Sequence, residues 1–156
     1  GDWAGRGTGI DDSGLARKIT TIDTALAHHG TALTDPLEAL RRLGGREFAA
    51  IAGAILAARH ARVPVLLDGL ACTTAAAILH VVNESALDHC LVAHNSVEPG
   101  HTRLLKKIGQ QPLLDFSLRL GEGSGAALAA GIVRAAAAVH NGMSTFTSAG
   151  VSGPAD

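Results

Sequence analysis

The sequence predicts an α/β fold, a parallel sheet flanked by helices in a Rossmann-like three-layer arrangement, and only part of such a fold. Segments with helical periodicity alternate with short apolar runs, the order expected of parallel strands joined by helical crossovers. The runs VPVLLDG (63–69) and CLVAHNS (90–96) are continuously apolar until their polar ends, as strands buried on both faces must be. Only these two strands are clear, and a sheet normally needs about three or more for independent stability. The sheet is therefore expected to extend beyond this chain or to be completed by another.

The elements follow in order. GRGTGIDDSG (5–14) is a glycine-rich loop, and Asp12 or Ser13 can cap the helix after it. In LARKITTIDTALAHH (15–29), Leu15, Ile19, Ile22 and Leu26 recur at helical spacing. Asp35 can cap a short helix begun by Pro36 and closed by Gly44 and Gly45. REFAAIAGAILAARHAR (46–62) carries Phe48, Ile51, Ala52, Ile55 and Leu56 on one core-facing side, with basic residues at the end that suits them. After the first strand, ACTTAAAILHVVN (71–83) reads as a helix. EPGHTRLLKKIG (98–109) is the helix after the second strand. PLLDFSLRL (112–120) fits either a helix or a strand, and GSGAALAAGIVRAAAAVHNG (123–142) is a long final helix. Residues 153–156 are expected to be a loose tail.

The totals set limits on function. The chain has 156 residues, 47% of them apolar, and a net charge of −1, which suits one domain with a sizeable core. A general nucleic-acid binder should be plainly basic, and aromatics at 3% with no tyrosine make a base-stacking platform poor. No apolar run reaches the roughly 20 residues needed to cross a bilayer. The start, GDWAGRGTG, lacks the basic and apolar regions of a secretion signal and an initiator Met, so the chain reads as a processed product or a piece of something longer. Cys72 and Cys90 are far apart without a CxxC, which favours two thiols in a reducing cytoplasm over a disulfide.

Ligands of open α/β sheets bind beyond the carboxyl ends of the strands. Both clear strands end in polar residues there, Asp68-Gly69 and His94-Asn95-Ser96. GRGTG is neither a P-loop nor a dinucleotide fingerprint. It is a flexible turn or an anion site at a helix N-terminus, with Lys18 one turn further along as added charge or as a solvated surface group. No HExxH, zinc spacing or GxSxG elbow is present, and His94 and His101 read as hydrogen-bonding loop residues beside a site. LRLGEGSGAAL (118–128) sets Glu122 between Gly121 and Gly123, just before a helix. That carboxylate is either a solvated loop charge or a positioned general base.

LRLGEGSGAAL, VPVLLDG, HNSVEPGH and GRGTGIDDSGLARK together resemble the nicotinate-nucleotide–dimethylbenzimidazole phosphoribosyltransferase family, over nearly the whole chain. The resemblance implies transfer of phosphoribosyl from nicotinate mononucleotide to 5,6-dimethylbenzimidazole, giving α-ribazole 5′-phosphate and nicotinate in cobalamin lower-ligand assembly. It implies Glu122 as the base that takes the benzimidazole N–H proton. Lys18, Gly69 and Ser96 match family positions around the nucleotide, and Leu120, Gly121 and Gly123 belong to the wall and turn beside the acceptor ring. It implies no cofactor and no metal, small-molecule substrates, a homodimer and a cytoplasmic setting, with neither nucleic acid nor membrane as partner. Family members are longer, and the glycine-rich phosphate loop they carry, reading roughly GEMGIGNT, is absent here. Residues 1–152 are accordingly expected to be the C-terminal part of the family's α/β domain. The competing reading is a non-catalytic, truncated or diverged domain that binds or associates.

Overall fold

The computed structural model describes residues 3–152. The expected loose tail at 153–156 lies outside the described residues. Three parallel strands form one sheet in the order β1-β2-β3. These are β1 (Val65–Leu67), β2 (Cys90–Ser96) and β3 (Pro112–Leu118). Helix α4 (Leu70–Val82) links β1 to β2, and α5 (Pro99–Lys107) links β2 to β3. Helix α6 (Ser124–Gly142) follows β3 and contacts all three strands.

The segment 112–120 is a strand. Pro112 has no N–H to give, which suits the first residue of an edge strand. Ser117 takes φ +54, and the register against β2 shifts between His94 and Ser96. This irregularity breaks the period-2 pattern and explains why the sequence alone admitted a helix. The third strand also brings the sheet to about the minimum that can stand.

The amino-terminal half is helical: α1 (Asp12–His29), α2 (Pro36–Ala39) and α3 (Gly45–His60). The cap of α1 lies one residue before the expected pair. Asp11 accepts from the Gly14 amide at 2.7 Å, and the Ser13 hydroxyl braces Asp11 in turn. Asp35 caps α2 as expected, accepting from Leu37 N and Glu38 N. The helical run from Pro36 closes at Gly44 and Gly45 as expected: α2 passes into one π-helical turn (Leu40–Gly44), and Gly45 at φ +66 breaks the path at the start of α3. Glu38 accepts from both Arg41 and Arg42 across this turn, and those guanidiniums hold its carboxyl down to about 2.

The core lies where α3, α4 and α5 meet the strands. Ala52, Ile55, Leu67, Ala76, Leu87, Val92, Leu105 and Ile108 are all buried in one cluster. Of the apolar face read on 46–62, Ala52 and Ile55 are buried and Leu56 is 41% exposed. The α1 stripe is shallower: Leu15 and Ile19 are half-buried, and Leu26 is 47% exposed. No helix among the described residues is long and apolar enough to cross a membrane.

Alanine at the α3–α4 contact lets the two backbones approach closely. Ala76→Leu, at a fully buried position, is expected to destabilise by about 1–3 kcal/mol through overpacking. Ala57→Leu on the exposed side of α3 should stay within about 0.5 kcal/mol. Chemical denaturation of both variants measures the difference.

Candidate active site at the strand ends

All three strands deliver their carboxyl ends to one cleft of about 310 Å³. Asp68 and Gly69 follow β1, His94 and Ser96 close β2, and the turn after β3 supplies Arg119 and Glu122. This is where an open α/β sheet binds its ligands.

The turn carrying Glu122 is unusual in its backbone. Gly121, Glu122 and Gly123 have φ of +78, +56 and +76. Glycine takes that conformation freely, which is why glycines flank the acid. Glu122 does not, and holding a non-glycine there costs on the order of 1–3 kcal/mol, which its surroundings must offset. Its side chain is exposed to the cleft and makes no hydrogen bond or ion pair to the described residues. A carboxylate displayed this way is free to meet a ligand.

Asp68 fixes the turn. It is 7% exposed. Its Oδ2 accepts from Gly123 N at 3.2 Å and its Oδ1 from Ala126 N at 2.8 Å. A carboxylate is thereby seated on the first turn of α6, where the helix presents free N–H groups and its positive dipole end. His94, 1% exposed, lies beside it with Nε2 at 3.7 Å from Asp68 Oδ1. Neither His94 ring nitrogen has a hydrogen-bond partner among the described residues. The ring fits because its neighbours lack side chains. A Cβ on Gly69 would lie 3.3 Å from His94 Nε2, and one on Gly125 would overlap the ring.

His101 supports the floor. It sits within α5 and not in a loop, and it is fully buried. Its Nδ1 accepts from Ser96 N at 2.9 Å, so its Nε2 carries the proton and donates to Thr73 Oγ1 at 3.1 Å. Burial, with His94 adding to it, pushes this imidazole down to about 4. Ser96 is thus anchored by its backbone, while its Oγ accepts from Glu98 N at 3.3 Å and borders the cleft.

The expected site residues divide into three groups. Gly69, Ser96, Gly121, Glu122 and Gly123 line this cleft. Lys18 lines an adjoining cavity of about 300 Å³ that shares Leu70 and Glu98 with the first. Its ammonium donates to Gly5 O at 2.7 Å. Leu120 is 66% exposed and lines neither cavity. In the GRGTG loop the amides of Gly9 and Ile10 are turned onto Arg6 O. Arg119 ties the loop to the cleft by donating to Gly7 O at 3.3 Å. Arg119 and Asp68 carried no assigned role in the sequence reading, although an acid ending a buried strand is itself a signal. Among the described residues no cluster of three His, Cys, Asp or Glu is placed to hold a metal ion. Both cysteines are free. Burial raises the Cys90 thiol to about 11.

Comparison with known proteins gives one consistent picture. The phosphoribosyltransferase family model matches residues 1–151. A nicotinate-nucleotide–dimethylbenzimidazole phosphoribosyltransferase of Rhizobium etli is 61% identical over 152 residues, 97% of this chain and 45% of that protein. The Rhizobium meliloti protein of the same name is 60% identical over 151 residues, again 97% and 45%. The crystal structure of CobT from Thermus thermophilus superposes with a TM-score of 0.87 at 43% identity, covering 97% of this chain and 45% of that one. The chain therefore spans less than half the length of the relatives it matches.

Two outcomes follow from the packing. Gly125→Ala should destabilise by about 1–3 kcal/mol because the new methyl meets the His94 ring. Gly131→Ala, on the same helix with open space around it, should stabilise by about 0.5–1 kcal/mol. Thermal or denaturant unfolding separates the signs. His101 binds its proton more weakly folded than unfolded, so its contribution is complete above about 6.5. Between 6.5 and 4 the unfolded chain takes up the proton first, and stability falls by up to about 3 kcal/mol. His101→Gln, which can keep both hydrogen bonds without titrating, should flatten that part of the stability–pH curve.

Proposed function

We infer the function from a premise of descent: this chain belongs to the phosphoribosyltransferase family. We propose that it supplies the base-bearing side of a site that moves phosphoribosyl from nicotinate mononucleotide to 5,6-dimethylbenzimidazole. The observation that supports this most is the convergence of Gly69, Ser96 and Glu122, from three separate strand ends, on one cleft.

In the proposed reaction a benzimidazole ring nitrogen attacks the anomeric carbon. The bond to the pyridinium nitrogen breaks, and its electron pair stays on nicotinate, so the leaving group needs no proton. The acceptor must instead lose the proton on its other nitrogen, and Glu122 takes it. General-base help of this kind is worth about 10²–10⁴-fold, and alignment of acceptor and sugar contributes further. Ser96 and the open backbone at Gly69 face the nucleotide side. Lys18 holds the adjoining wall through Gly5, close to where the phosphoribosyl group would lie. Leu120 is free to close on the flat acceptor ring from outside the cleft. We place the reaction in the cytoplasm, in keeping with the two free thiols. We propose a homodimer as the working form, with the apolar residues Leu128, Ile132 and Val139 exposed along α6 available for association.

The test is turnover. With nicotinate mononucleotide and dimethylbenzimidazole, chromatography should detect α-ribazole 5′-phosphate, and Glu122→Gln should lower its rate by about 10²–10⁴-fold. A Glu122→Gln protein as active as the parent would remove Glu122 as the base. Where this chain forms no product alone, the same pair of assays on the intact protein carries the test.

A further inference from the structure

Glu122 is held in a conformation its own residue type resists, and nothing its side chain touches holds it there. The restraint must come from its neighbours in the turn. On one side Ser124 N bonds back to Gly121 O at 3.0 Å, closing the turn on itself. On the other, Gly123 N and Ala126 N both donate to the Asp68 carboxylate. Asp68 comes from the end of β1, which is 55 residues away along the chain in the first of these bonds. Among the described residues it is the hydrogen-bond link from the sheet to this turn. Its own place is set from behind by the His94 ring, which is wedged between Gly69 and Gly125.

We propose that Asp68 is a positioning residue for Glu122: its carboxylate seats the left-handed turn on α6 and so aims the base into the cleft. This rests on the reading of Glu122 as the base. Asp68 borders the cleft, but both of its oxygens are already engaged by backbone amides, so its effect reaches the reaction through Glu122. An asparagine in its place keeps the shape but has one oxygen for two amides. Its NH₂ group would then face an N–H. The turn should relax toward conformations that suit a glutamate better, and the carboxylate should leave its aim.

A double-mutant cycle in the intact protein tests this, with nicotinate mononucleotide and dimethylbenzimidazole as the substrates. Asp68→Asn is expected to lower kcat by about 10–100-fold, the scale of a misplaced catalytic group, with little change in KM for the nucleotide. In the Glu122→Gln background the same substitution should cost nothing further, because there is no base left to aim. Equal losses in both backgrounds, or no loss in either, overturn the proposal. Glu122→Gln without any loss defeats the reading of the base instead, so the two failures are distinguishable. A measurement on protein with Asp68 intact stands beside the cycle should Asp68→Asn not fold. In the Glu122→Gln protein, the amide protons of Gly123 and Ala126 should be protected from exchange with solvent by the Asp68 carboxylate. Amides that exchange freely would overturn the proposal.

Discussion

The bond between the Asp68 carboxylate and the first turn of α6 is the contact on which the rest of the site depends. It joins the end of β1 to the start of the last helix, and so ties the cleft's first wall to its third. A buried carboxylate is expensive unless it is bonded, and a helix N-terminus is expensive unless its amides are met. Each solves the other's problem. Because the bonds are charge-assisted and share one rigid side chain, they fix orientation as well as position.

That seating requires space, and the chain obtains it by leaving side chains out. Gly69 and Gly125 admit the His94 ring, whose bulk backs Asp68. Ala129, fully buried, lies one turn further along α6. Ala75 and Ala76, also fully buried, play the same part in α4. The alanine and glycine bias of the composition is thus not padding. It sets how closely the helices can approach the sheet. His101 completes the arrangement on the other side, where its neutral ring links Ser96 to Thr73 through one acceptor and one donor nitrogen.

Much of this was legible in the residues. The continuous apolar runs marked β1 and β2, and the polar residues that end them marked the cleft. The isolated acid between glycines marked the turn, because only glycine sits easily at positive φ on both sides of it. The third strand was hidden because Ser117 and the register shift disturb its alternation. The α1 cap lay one residue off because Asp11, Asp12 and Ser13 are all competent caps, and only the three-dimensional path selects among them. The π-turn before α3 has no periodic signature. Asp68 and His94 were visible as polar strand ends, but their contacts span the sheet and α6, and local spacing carries no record of such distances. Leu120 entered through family resemblance alone, Lys18 also as a charge one turn past the glycine loop, and the structure sets both at the margin of the cleft.

The most direct measurement is a crystal structure of the intact protein with nicotinate and α-ribazole 5′-phosphate in place. The base at Glu122 requires the benzimidazole ring in the cleft between Gly69, Ser96 and the turn. One of its nitrogens should lie about 2.6–3.2 Å from the Glu122 carboxylate. Gly121, Glu122 and Gly123 should still be left-handed, with Asp68 still bonded to Gly123 and Ala126. A ring bound in the cleft with Glu122 turned to solvent, or a turn that has released Asp68, would contradict both the base and the device that aims it.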